Sequence, residues 1–299
     1  MTGFTYWAYG LHVLSEIEFP ELYPITYNKH SDLIISVGEC ISVDESSTFN
    51  LVHRYESTEH ACSIDIRSIA LYTITNGSHI TIHPYVGSKT SDVRVYCLSN
   101  AFAAILHQRR MLPMHAGALL ISEKLSLIMG DSGAGKSTLL FQMMQAGYQV
   151  FSDDVVVFDF NPDHQEVLAA SSYPMMKLWK EQFLSMHKEI AQPVRSGVEK
   201  YPFYFHDQFH ITYKKIERLV VVRVDDQLHA PLLRTLKPSA AITCLLEHVY
   251  RREYLSTVEL HYHLPLLANL VNSIEVYELI RPRYKSTEKE LHRLLVSIL

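Results

Sequence analysis

Residues Gly130-Asp131-Ser132-Gly133-Ala134-Gly135-Lys136-Ser137 spell G-x-x-x-x-G-K-S, and this octapeptide constrains the fold more than any other feature of the chain. It needs a strand before it and a helix after it, because that geometry turns successive backbone N–H groups toward one point. The flanks meet the requirement. Leu125-Ser126-Leu127-Ile128-Met129 is a short, mostly apolar run suited to a buried strand. Ser137 to Ala146 is apolar on one face at helical spacing, and Gly147 stands where a C-cap belongs. Strand, glycine loop and helix in this order set phosphates on a helix N-terminus. Gly130 to Ser137, with Thr138 behind them, form the expected nucleotide-binding set. Lys136 reaches the β and γ phosphates and the Ser137 hydroxyl holds Mg²⁺. The predicted ligand is ATP or GTP.

Composition narrows the rest. A chain of 299 residues with 47% hydrophobic and 20% charged residues is an ordinary globular protein. A net charge of −5 gives no global pull toward nucleic acid or anionic membrane, and Lys177, Lys180, Lys188 and Arg195 read as a solvated face. Cys40, Cys62, Cys97 and Cys244 are far apart and form no C-x-x-C, which argues against a zinc site or a disulfide framework and suits a reducing compartment. Met1 to Phe19 has no basic stretch followed by an apolar core, and no apolar run approaches the ~20 residues that span a bilayer. The expectation is a cytoplasmic protein with no nucleic-acid or membrane partner, compatible with a homo-oligomer.

Along the chain, residues 1–94 read as a β-rich N-terminal domain and 95–299 as an α/β nucleotide domain. Asp32–Val37 is strand-like, and Ala70–Thr75 and His79–His83 flank Asn76-Gly77-Ser78, a hairpin signal. From Ser91 to Arg110 the apolar spacing turns helical. His115–Ile121 then predicts a strand turned back by Ser122-Glu123-Lys124 into the phosphate-loop strand. Tyr148–Phe160 reads as another strand-rich segment and Leu219–Val222 as a central strand. Helices are expected at Ser239–Tyr250, Leu264–Val271 and Thr287–Ile298, the last opened by a Thr287-x-x-Glu290 capping box.

The second carboxylate decides the reaction, and three candidates compete. Asp153-Asp154 lies seventeen and eighteen residues after Lys136, directly before Val155-Val156-Val157. Asp159 ends a Walker-B-like apolar run, and Asp225-Asp226 follows Leu219–Val222 less tightly. Adjacent carboxylates suit phosphoryl transfer to a hydroxyl, where one orients Mg²⁺ and the other takes the acceptor's proton.

His115-Ala116, the Gly130–Ser137 loop, Gly147 and Ser152-Asp153-Asp154 together resemble the catalytic domain of HPr kinase/phosphorylase. That family carries a His-Gly pair fifteen residues before its loop and an Asp-Asp pair at the same offset after its lysine. The resemblance covers about residues 111–160. It implies a phosphoenolpyruvate-carboxykinase-like P-loop fold, ATP and Mg²⁺ as cofactors, and phosphate transfer to a serine hydroxyl. Lys136 and the loop amides would hold phosphates, and His115 would stand beside them as an electrostatic or hydrogen-bonding group. Asp153 and Asp154 would share base and metal duties in an order the residues leave open, Ser137 and Asp154 being the expected metal pair. The chain departs from the pattern at Thr138, where the family has glutamate, and at Ala116, where it has glycine. The family's Glu-x-Arg-Gly signature has no counterpart around Tyr173–Trp179, where Lys177 alone offers a cation. The opening Tyr6-Trp7-Ala8-Tyr9-Gly10-Leu11 and Phe19-Pro20-Glu21-Leu22 are similar to smaller HPr-kinase-like proteins, some of which phosphorylate a serine of a ribosomal precursor peptide such as a lasso-peptide precursor.

The expected activity is therefore ATP-dependent phosphorylation of a serine in a peptide or small protein. Two alternatives stay open: a kinase of a small molecule such as free serine, and a P-loop ATPase or regulatory module using Asp159 or Asp226. His206-Asp207-Gln208-Phe209-His210 mimics a zinc motif in strand or loop surroundings, where two imidazoles would not share a face. His261-Tyr262-His263 reads as alternation along an extended segment.

Overall fold

Two sheets account for most of the architecture. The computed structural model describes residues 3–26, 30–42, 53–57, 60–161, 166–185, 192–255, 257–283 and 288–298. The first sheet has eight strands, all drawn from residues before the predicted boundary at 94/95. Strict alternation sets its buried face. In Ala70–Thr75, Ala70, Tyr72 and Ile74 point inward and their neighbours outward. The strand pairs antiparallel with His79–Pro84 through the predicted turn, where Asn76 and Gly77 both adopt positive φ, 53° and 60°.

The predicted connecting helix covers that face. It runs as Thr90–Tyr96 and Phe102–Gln108 around a π-helical turn at Cys97–Ala101. Tyr72 and Tyr9 donate their hydroxyls to the Val93 and Leu98 carbonyls, tying sheet to helix. The resulting cluster also takes in Val155, Val157, Ala170, Tyr173 and Met175, so one core runs across the boundary.

The second sheet carries the phosphate loop. Its backbone is Tyr213–Asp225, which contains the predicted Leu219–Val222 run and pairs in parallel with Lys124–Gly130. On its other side its first residues pair with Glu166–Ala170, and residues 218–225 pair in parallel with Glu275–Pro282. The three parallel strands end side by side at Gly130, Asp225 and Pro282, the edge where open α/β sheets bind ligands. Lys124–Gly130 is also hairpinned to Ala116–Ile121, with Ser122 and Glu123 at positive φ in the turn.

One expectation gains detail and two change. Tyr148–Phe160 is two strands, Gln149–Ser152 pairing with Ala116–Ile121, and Val156–Asn161 pairing with Glu166–Ala170 and Leu112–Met114. Because the halves follow different neighbours, Asp153-Asp154 leaves the ladder, and Asp154 sits at φ 68°. The helix expected at Ser239–Tyr250 is Pro238–Glu247. His248 to Tyr250 are withdrawn from it because they bond back to the strand residue Pro113 and to His115, at the bend between Leu112–Met114 and Ala116–Ile121. His261-Tyr262-His263 is helical, inside Thr257–Ser273, so its residues point in different directions and His263 is buried. The last helix is Glu288–Val296, and Thr287 of the expected capping box lies outside the described residues. Among the described residues no helix is long and apolar enough to cross a membrane.

Candidate functional site

The loop is shaped by glycines that no other residue could replace without strain. At Gly130 a Cβ would stand 2.3 Å from the Val222 carbonyl oxygen, so the loop strand could not approach its parallel neighbour. Gly135 takes φ 100° as the residue that opens the helix Lys136–Gln145. Lys136 is buried and folds back onto the Gly130 and Asp131 carbonyls. Burial pulls its pKa below the usual lysine range against the attraction of Asp154 and Asp153. Arg281 donates to the Ala134 carbonyl at 2.8 Å and the Gly133 carbonyl at 3.3 Å, bracing the loop from the strand Glu275–Pro282.

Asp153 and Asp154 lie beside this loop with unlike partners. Asp153 is 2% exposed; its Oδ1 accepts from the Ser137 hydroxyl at 3.1 Å and its Oδ2 from the Lys177 backbone N–H at 3.2 Å. Burial, reinforced by the adjacent Asp154, pushes its carboxyl up to about 6. For Asp154 burial acts in the same direction, but Lys177 and His115 outweigh it and hold the carboxyl well below the usual range. Its Oδ2 accepts from Lys177 Nζ at 2.6 Å, and its Oδ1 stands 3.5 Å from His115 Nδ1. Lys177 reaches the pair from the strand Met175–Trp179. Burial there disfavours its charge, yet Asp154 more than compensates and raises its pKa well above normal.

His115 completes the group. Burial lowers its pKa to about 4, with Asp154 offsetting only part of the effect, so the ring is neutral at pH 7. The ring lies parallel to Tyr250, 13° between planes and 6.1 Å between centroids. That stacking exists because the backbone N–H of His115 donates to the His248 carbonyl and that of Tyr250 to the Pro113 carbonyl.

All the sequence-derived positions around the phosphate loop are therefore neighbours: Lys136, Ser137, Asp153, Asp154, His115 and Lys177. The competing carboxylates have other partners among the described residues. Asp159 lies on a wall with Arg110, Phe158 and His263, and Asp226 is bonded to Arg283 at 2.6 Å. Sequence reasoning missed Tyr250, His248 and Arg281, which sit more than a hundred residues from the loop and carry no local motif. Lys177 and Arg195, read as part of a solvated face, are both engaged: Lys177 with Asp154 and Arg195 with the Tyr96 hydroxyl.

The donor set fits a magnesium nucleotide. One hydroxyl and two carboxylates are hard oxygen donors, and Mg²⁺ takes one or two carboxylates while its other positions go to water and phosphate. Among solved structures, the HPr(Ser) kinase/phosphatase from Coxiella burnetii is similar to this chain at 14% identity. The alignment covers 62% of this chain and 89% of that one, with a TM-score of 0.32. A likeness at that level carries no argument about activity. No family model and no curated protein matches the chain.

Proposed function

We propose that this protein is an ATP- and Mg²⁺-dependent kinase that transfers the γ-phosphate to a serine hydroxyl of a peptide or small protein. One observation carries the reading: Ser137–Asp153 and His115–Asp154–Lys177 converge beside Lys136 and the phosphate loop. In this reading the loop N–H groups and Lys136 bind the phosphates, and the Ser137–Asp153 bond favours Asp153, in place of the expected Asp154, as the carboxylate that would hold the metal with Ser137. The bound Mg²⁺ supplies charge neutralisation on the phosphate oxygens. Asp154, kept ionised by Lys177, orients the acceptor hydroxyl and takes its proton. The acceptor oxygen bonds to the γ-phosphorus as the bond from that phosphorus to the bridging oxygen breaks, and the electron pair leaves with ADP. Neutral His115 donates or accepts a hydrogen bond at the transferring group and adds no fixed charge.

Incubation with ATP, Mg²⁺ and acceptor peptides, read by mass spectrometry, should give a product heavier by one phosphate. Lys136→Ala and Asp153→Asn should abolish it. Undiminished transfer in both variants refutes the assigned roles; hydrolysis to ADP without any phosphorylated product refutes the kinase.

A further inference from the structure

A cleft of about 320 Å³ opens between the first loop residues, Gly130 to Ser132, and the segment from Glu247 to Glu253. His115 forms part of its wall, so an occupant lies next to the residue that touches Asp154. The cleft is rich in hydrogen-bond acceptors. Asp131, Glu247 and Glu253 line it, against Arg251 as the cation. Arg251 is already engaged: its Nη1 lies 3.4 Å from Glu253, its Nε donates to the Ser99 carbonyl and its guanidinium rests over the Tyr250 ring.

His248 gives an independent reason to expect a donor here. Its Nδ1 lies 2.7 Å from the Cys244 carbonyl oxygen, which only accepts, so Nδ1 carries the proton and Nε2 presents a lone pair. The residue is 7% exposed, and Nε2 has no hydrogen-bond partner among the described residues. It faces Asp131 Oδ1 across 3.8 Å, beyond direct hydrogen-bond distance, with the Asp131 side chain itself exposed to solvent. A buried acceptor left without a donor is unfavourable, and an ammonium or hydroxyl inserted at this point would satisfy it.

Resting on the phosphoryl-transfer reading, we propose that this cleft is the acceptor pocket and that it selects an alcohol bearing a positive charge close to its hydroxyl. The charge comes from a free amino alcohol or amino acid, or from a basic residue beside a peptide serine; Asp131, Glu247 and Glu253 receive it, with His248 Nε2 taking one of its hydrogens. The cleft volume accommodates a small molecule or one to two side chains of a peptide.

The test uses acetylated serine pentapeptides that differ only in Arg, Gln or Glu beside the serine, together with free serine and ethanolamine. The cationic acceptors should show KM about tenfold below the neutral ones. Glu247→Gln with Glu253→Gln should erase about five-fold to tenfold of that preference, because each exposed charge contributes modestly. The double charge reversal to lysine should invert it, with the affinity for ADP unchanged throughout. Preference for the Arg peptide over ethanolamine assigns the charge to a peptide side chain, and the reverse order assigns it to a free amino alcohol. Equal use of all acceptors, or a loss of ADP affinity with acceptor KM unchanged, overturns the proposal. Calorimetric titration of ethanolamine and of ethylene glycol into the ADP-saturated protein separates the two readings. If no acceptor is phosphorylated yet ethanolamine binds and loses affinity in the glutamine variant, the cleft assignment stands and the kinase falls. If transfer proceeds and ethanolamine binds no better than ethylene glycol, the kinase stands and the cleft assignment falls.

Discussion

Asp153 is sealed from solvent and its carboxyl ionises only near pH 6, whereas in the unfolded chain it ionises near 3.8. Between those values the folded state holds the proton more tightly, so stability falls as pH rises through this window and stays lower above it. Asp153→Asn removes that loss while keeping groups that can bond Ser137 and the Lys177 N–H. The ligand-free variant should therefore be more stable than the parent at pH 8, by on the order of 2 kcal/mol, and gain nothing at pH 3.5. Thermal melts at the two pH values check this; a parent that is the more stable at pH 8 contradicts it. Lys177 acts in the opposite sense. Lys177→Met would leave the Asp154 carboxylate largely buried without its main cation, lowering stability by about 1–3 kcal/mol. Transfer should fall at least a hundredfold, and the acid limb of its pH profile should move to higher pH. Lys177→Arg should restore much of both, and an unshifted acid limb in the Met variant removes Asp154 from the proton-accepting role.

At the scale of elements, the loop's glycines differ in what they tolerate. Gly130 combines φ 148° with backbone 2.3 Å from its missing Cβ, while Gly133 has φ 83° and open space. Gly130→Ala must push the loop strand off Tyr213–Asp225, at about 2–4 kcal/mol, and should abolish ATP binding. Gly133→Ala meets only the left-handed penalty of about 1 kcal/mol. Denaturant unfolding of both variants, with nucleotide binding measured in parallel, should show that order. The element boundaries that failed at the sequence level follow one cause. A strand read from its own residues has no knowledge of its partners. The run from Tyr148 to Phe160 therefore reads as strand-rich without revealing that its halves pair with different strands. In the same way the apolar pattern carries the helix on to Tyr250, while backbone bonds to Pro113 and His115 stop it at Glu247.

Over the whole molecule, each sheet is built from one side of the proposed 94/95 division, yet a hydrophobic cluster joins residues of both. Thermal unfolding should accordingly show a single transition, with the N-terminal sheet and the loop sheet losing structure together by hydrogen exchange. Acid should undo the fold through its buried imidazoles. Burial lowers the pKa of both His107 and His263, the latter to about 4, and His263 Nε2 has no hydrogen-bond partner among the described residues. The unfolded state takes up protons first on acidification, so their contribution to stability is present above pH 6.5 and is lost as pH falls toward 4. His263→Phe should flatten that acid limb in melts between pH 7 and 4.5; an unchanged limb assigns the loss to other groups.

By itself the sequence determined the strand–loop–helix, the hairpin at Asn76-Gly77 and the nearness of Asp153-Asp154 to the glycine loop, since these depend on turn chemistry and spacing over fewer than thirty residues. Only the tertiary structure decided which aspartate meets Ser137 and which meets Lys177. The two are adjacent in the chain, and a left-handed residue at the break between two strands turns their carboxylates to different partners. The same holds for the wall formed by His248, Tyr250 and Arg251. It reaches His115 across more than 130 residues through backbone bonds that leave no pattern in the sequence.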